Sequence, residues 1–358
     1  MLMASLVYLN TASCGLIAPA SLYAGNKLYA DFAHSSSRYS ELWAQQHEGR
    51  IRQVVADFIG APLKNTALIP NFSWAMNGIV QSLKGSERIL LYRNDFPSLL
   101  QPFTINNFPI IWVDAPDGFN IDIKQVKDAI RNKLVDIVAL SHVQWSTGYM
   151  LDLKEIGDLC KEHNVLFFVD ATQSLGANLT NLEELNIDIL AASCYKWMNA
   201  GFGTGVLYVG DNFLSQYPPV IGGFHSDKVR IPDISGPTAA SYEPGSSNMY
   251  GLLLLEAAIT AKNKIGMAKI QNHNYGLMQL LLNGIVNLPV RVFGDHSMCN
   301  RCSILILHDE NDLGGWIENH NIIITRRNGI LRISLHFHNT EKDVIALLDC
   351  LSAKFSWN

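Results

Sequence analysis

Asp170 closes the apolar run VLFFVD, Gln173 follows three residues later, and Lys196 comes 26 residues after Asp170 in SCYKWMNAGFGTG. An ammonium among aromatic, small and apolar neighbours is costly to desolvate. Burial lowers its pKa and so makes the neutral amine, a nucleophile, available. One chemistry wants this set. A lysine forms a Schiff base with an aldehyde, and a carboxylate keeps a pyridine nitrogen protonated so that the ring can accept electron density. Pyridoxal 5′-phosphate carries both groups, and the residues predict it as cofactor. Taken singly each residue has a plainer use: Asp170 could cap a helix in DATQS, and Tyr195 or Trp197 could be core aromatics. The glycines of NAGFGTG precede the strand-like TGVLYVG and not a helix, so a dinucleotide loop fails on context, whereas a tight turn after the lysine fits them.

The elements that must position these residues are continuous apolar runs: LVDIVALS, VLFFVD, IDILAAS and TGVLYVG. Helical patterns separate them, DLKEIGDLCKEH first and then a segment around GANLTNLEEL. Unbroken apolar strands are those covered on both faces, which predicts an α/β domain with a largely parallel sheet. Ligands bind beyond the carboxyl ends of such strands, where Asp170 and Ser193 fall. After about residue 252 a long helical stretch leads into short strands and helices, with RRNG as a hairpin turn. The expected organisation is an N-terminal segment, 1–14, joining the small domain; a large α/β domain, 15–255; and a smaller C-terminal α+β domain, 256–358.

The chain has 358 residues, 48% hydrophobic and 16% charged, with a net charge of −5. That balance offers no basic surface for nucleic acid or anionic lipid and points to a small-molecule partner. No apolar run is long enough for a bilayer, and the apolar start MLMASLVYLN lacks the basic flank of a signal peptide. Six scattered cysteines suit a reducing compartment, so a cytoplasmic location is expected. Cys299 and Cys302 form a C-x-x-C without a second pair, and ordinary cysteines beside a strand are preferred to a metal site.

FFVDATQSLGA followed by IDILAASCYKWMNAGFGTGVLYV resembles the core of the class V aminotransferase family of fold type I pyridoxal phosphate enzymes. YLNTASCGLIAP, YEPGSSNMYG and RISLHFHNTEKDVIALL extend the resemblance over most of the chain. It implies that family's fold, with a mostly parallel seven-stranded sheet. By the same resemblance Lys196 holds the cofactor aldehyde, Asp170 its pyridine nitrogen, and Gln173 the phenolic side of the ring. Phe96, in NDFPS, would cover the ring. The phosphate would be bound by Phe72 and Ser73 at a helix start, an ordinary anion site, with Ser193 and Tyr195 adding hydroxyls. Ser246 or Ser247 would complete it across a homodimer interface. Arg332 would pair with the α-carboxylate of an amino-acid substrate, with Asn10 nearby.

The tyrosine before the lysine is closer to kynureninases than to cysteine desulfurases, where a histidine stands. Desulfurases also place a nucleophilic cysteine shortly before the substrate arginine, and NIIITRRNGILR has none. The expected activity is an aminotransferase, then a kynureninase-like lyase or isopenicillin-epimerase-like epimerase, with sulfur transfer less favoured and a non-catalytic binding protein of the same fold least favoured. His225, His336 and His338 read as structural histidines.

Overall fold

In the computed structural model, residues 6–228 and 236–356 are described; residues 1–5, the start of the expected N-terminal segment, lie outside them. Twelve strands fall in chain order: β1 Val7–Tyr8, β2 Thr66–Ile69, β3 Ile89–Tyr92, β4 Ile110–Val113, β5 Ile137–Ser141, β6 Leu166–Asp170, β7 Ile189–Ser193, β8 Gly205–Val209, β9 Ile304–His308, β10 Ile322–Ile323, β11 Thr325–Arg327 and β12 Ile330–Ser334. The central sheet has seven strands in the order β2-β8-β7-β6-β5-β3-β4. The pairs from β7 to β4 are parallel, whereas β8 runs antiparallel to both β7 and β2. β5, β6 and β7 are buried at every position, as their unbroken apolar sequence requires when helices cover both faces.

The single reversal at β8 places the chemistry. Because β8 returns antiparallel beside β7, with Ser193 opposite Gly205, residues 194–204 form a loop at the end of the sheet where Asp170 also sits. Asn199, Gly201 and Gly203 take positive φ values of 60°, 73° and 80°, the turn chemistry that lets this loop fold back tightly.

The segment around GANLTNLEEL is not a helix. It holds a single 3-10 turn, Leu182–Glu184, after a turn in which Gly176 has φ 92°. The long helical stretch is two helices, Met249–Ile265 and Met267–Ile285, parted at Gly266 with φ 93°. Leu255 and Ile259 of the first join the core of the large sheet, while Leu281 and Ile285 of the second join a separate core. That second core contains the three-stranded antiparallel sheet β11-β12-β9 and also Val7 and Leu9 from the N-terminal segment, whose β1 pairs with β10. RRNG does turn a hairpin, with Arg327 opposite Ile330.

Candidate active site

A cavity of about 420 Å³ lies at the carboxyl end of β5, β6 and β7. Phe72, Ser73, Phe96, Asp170, Gln173, Ser193, Tyr195 and Lys196 all line it, joined by Asn71, Ser98, Ser141, Trp145 and Thr172. An adjoining cavity of about 260 Å³ shares Phe96, Trp145, Tyr195 and Lys196 with it and adds Arg332.

Lys196 is 6% exposed, and among the described residues no acceptor bonds its amine. Its Nζ lies 5.4 Å from the ring centre of Phe96 and 5.6 Å from that of Tyr195. Desolvation pushes its pKa down, the Arg332 charge adds to this, and Asp170 opposes it. The backbone below is closed by the N-terminal segment. Gly15 N–H donates to the Tyr195 carbonyl at 2.8 Å, and a Cβ on Gly15 would lie 1.9 Å from the Lys196 carbonyl, so only glycine fits.

Asp170 is buried at the end of β6, where its Oδ1 accepts from Thr172 N–H at 2.8 Å. Burial raises its pKa, the Thr172 hydrogen bonds and Lys196 hold it down, and the nearby Asp95 carboxylate raises it further. Gln173 is spoken for on both sides of its amide: its Oε1 accepts from Trp197 Nε1 at 2.7 Å and its Nε2 donates to Ala12 O at 3.1 Å. It ties the N-terminal segment to the lysine loop.

At the start of the helix Phe72–Ser82, the Phe72 N–H donates to Ser193 Oγ at 2.9 Å, so that amide, expected for an anion, is held by protein. Ser73 Oγ donates to Ser98 Oγ at 2.8 Å, placing two hydroxyls at the same helix end. Phe96 is fixed by Asp95, which accepts from Phe96 N–H, Ser141 N–H, the Ser141 hydroxyl and Gln144 Nε2. Trp145 meets Phe96 edge-on at 5.8 Å, and its buried Nε1 has no partner among the described residues. Phe202 stacks on Tyr195 at 4.5 Å and is 69% exposed.

Arg332 is 8% exposed, donating to Trp145 O, Ser13 Oγ and Thr325 Oγ1, and its Nε has no partner among the described residues. Asn10 does not reach either cavity: its Oδ1 accepts from Thr325 Oγ1 at 2.6 Å and so acts on Arg332 at one remove. Ser246 and Ser247 line neither cavity of the single chain. Their neighbour Asn248, which caps the helix Met249–Ile265, donates to the Gly203 carbonyl at 3.1 Å and ties them to the lysine loop.

Sequence reasoning missed Trp145, Ser98, Thr172 and Asp95. Trp145 stands in VQWSTG and Asp95 in NDFPS, but nothing in one sequence says that both stretches meet at one strand end. Cys194 is fully buried, and neither it nor Cys14 lines either of these two cavities. Cys299 is exposed and Cys302 buried beside Val143 and Ile304.

The residues fit pyridoxal 5′-phosphate. A buried carboxyl raised by desolvation, an amine without an acceptor, an aromatic face and paired hydroxyls at a helix start all line one cavity.

A model of class-V aminotransferases matches residues 7–347. A probable cysteine desulfurase of Pyrococcus abyssi is 26% identical over 342 residues, covering 88% of this chain and 84% of that protein. An uncharacterized aminotransferase, YcbU, of Bacillus subtilis is 22% identical, covering 85% and 82%. Among solved structures, the apo cysteine desulfurase of Thermococcus onnurineus has a TM-score of 0.87 at 22% identity, covering 99% of this chain and 95% of that one. The cystine C-S lyase C-DES has a TM-score of 0.85 at 20% identity, covering 98% of both. Among the described residues no helix is long and apolar enough to cross a membrane.

Proposed function

The chain belongs to the class-V aminotransferase family, and on that premise we propose that it transfers the amino group of a small amino acid, using pyridoxal 5′-phosphate held at Lys196. The observation that carries this reading is the acceptor-free Lys196 amine, buried between two cavities with Arg332 on one side and Asp170 on the other. When bound, the cofactor supplies an aldehyde for nitrogen and a ring that draws electron density from the bonds at Cα.

The chain's own residues do the rest. Lys196 Nζ would hold the cofactor through its aldehyde and would be the base that moves the proton at substrate Cα. Its lowered pKa keeps a useful fraction neutral near physiological pH. Asp170 keeps the ring nitrogen protonated, and a cationic partner there relieves the burial that raises its own pKa. Of the side chains lining this cavity, Phe96 would cover the ring, the Gln173 Nε2 hydrogen left over from its bond to Ala12 O would meet the phenolic side, and Ser73 and Tyr195 would supply donors to the phosphate. Arg332 receives the substrate α-carboxylate, since a guanidinium holds it by two parallel bonds and fixes which Cα bond faces the base.

Asn10 orients Thr325 under Arg332. Ser246 and Ser247, tethered to the lysine loop through Asn248, reach the phosphate of a second copy in a homodimer. Exposed Phe202 and Ile17 beside that loop are the apolar surface such a copy would cover. Mixing Lys196→Ala chains with chains altered at both serines should restore activity; proven subunit exchange without recovery would refute the shared site.

A second reading is β-elimination at a carbon-sulfur bond, favoured by the relatives named cysteine desulfurase and by the lyase C-DES. Sulfur transfer to a protein thiol is disfavoured because, among the described residues, no cysteine lines either cavity. The discriminating experiment supplies the holoenzyme with amino acids with and without a 2-oxo acid acceptor. Transamination predicts a new amino acid that forms only when the acceptor is present. Sulfide or pyruvate released from cysteine or cystine without acceptor would overturn it.

A further inference from the structure

Arg326 and Arg327 are neighbours in sequence with opposite surroundings. Arg326 is neutralised by Asp309 and Asp312. Arg327 has no carboxylate partner among the described residues, and it lines the same 260 Å³ cavity as Arg332 and Lys196. The hairpin explains the split. In the β11-β12 ladder Thr325 stands opposite Arg332 and Arg327 opposite Ile330. Opposed residues, and residues two apart, share one face of a sheet. Thr325, Arg327, Ile330 and Arg332 therefore face the cavity together, and Arg326 faces away. Arg327 and Arg332 are diagonal neighbours, about 7–8 Å apart along the ladder and within reach of long side chains.

Arg332 is buried and still has an unpaired Nε. The cavity's walls hold two guanidinium groups, Arg327 and Arg332, and among the described residues no acidic side chain. Two like charges held together without a counter-charge call for an anionic ligand.

We propose that this cavity selects amino acids with a second acidic group on a short side chain: Arg332 takes the α-carboxylate and Arg327 the distal acid. The inference rests on the reading that this cavity receives the amino-acid substrate, and it adds the substrate class. The small volume confines the side chain to a few carbons. A neutral amino acid leaves Arg327 in water and gains nothing from it.

The test uses ligands without an amino group, so that binding is read apart from reaction. Isothermal titration of the purified protein compares glutarate with butyrate, which differ by one carboxylate. Glutarate should bind at least about tenfold more tightly, the order expected for one added charge-assisted pair. The preference should shrink with added salt, because Arg327 is exposed. Arg327→Gln should abolish the preference with butyrate affinity unchanged, and Arg327→Lys should restore part of it. Equal binding of both ligands by the native protein, or an Arg327→Gln effect that weakens both alike, overturns the proposal. Should no amino acid give product while glutarate still outbinds butyrate through Arg327, the reaction assignment fails and this inference stands.

Discussion

Two buried lysines, Lys196 within the lysine loop and Lys262 bonded to that loop from a helix, are built for opposite ends. Lys262 is 1% exposed, in the helix Met249–Ile265. Its Nζ donates to the Gly176 carbonyl at 3.2 Å and to Asn199 Oδ1 at 3.0 Å, lies 3.1 Å from His336 Nε2, and stands 4.4 Å from the centre of the Phe337 ring. Lys196 has two rings, an open cavity and, among the described residues, no acceptor. Desolvation lowers the pKa of both. Burial alone therefore does not single out the reactive amine. What distinguishes Lys196 is that the protein leaves its lone pair unused and gives it room.

Lys262 works through its partners. His336 Nε2 also lies 2.9 Å from the Trp197 carbonyl, and Asn199 donates to the Leu16 carbonyl at 3.0 Å. One amine thus joins the long helix, the lysine loop and the strand end after β12, fixing the backbone on which Lys196 stands.

The comparison breaks most sharply under substitution. Lys196→Ala should abolish the visible absorbance of lysine-bound cofactor and cut turnover by about a thousandfold or more, with the thermal transition little changed. Lys262→Met should do the reverse, keeping the absorbance while lowering stability by about 1–3 kcal/mol through the acceptors it strands, as read by denaturant unfolding. Equal loss of absorbance in both variants would erase the distinction.

Asp170→Asn keeps size and removes the carboxylate charge proposed to favour a protonated ring nitrogen. Turnover should fall more than about tenfold, roughly 1.4 kcal/mol, with cofactor still retained. A smaller loss, measured as kcat at saturating substrate, would remove Asp170 from this role.

The smallest effect sharpens the electrostatics. The neutral amine is the nucleophile, so the rate of cofactor attachment to cofactor-free protein should rise with pH and level off above the Lys196 pKa, well below the ordinary lysine value of about 10.4. Arg332 depresses that pKa by its positive charge. Arg332→Gln should therefore move the inflection to higher pH, and a shift to lower pH would have the wrong sign for this account.

Much of this site was legible because its residues stand in short motifs at strand ends. Asp170 and Ser193 close apolar runs, and Lys196 follows at the family's spacing, so eight expected residues meet at one cavity. What was illegible depends on topology. Lys262, in AITAKNKIG, is one of two lysines in the last turn of its helix, and nothing in the sequence marks it as buried without its loop partners. Asn10 was expected at the substrate carboxylate, but β1 pairs with β10 and sets it behind Thr325. The supposed helix around GANLTNLEEL was misread because its spaced leucines suit one, whereas Gly176 in a positive-φ turn commits the chain to a loop. The contrast between Arg326 and Arg327 needed the hairpin register.

Lys196, and not Lys262, is the lysine proposed to carry the cofactor. Borohydride reduction of the holoenzyme, followed by proteolysis and mass mapping of the pyridoxyl-labelled peptide, should place stoichiometric label on Lys196 and none on Lys262; label on Lys262 or on any other lysine would contradict this assignment.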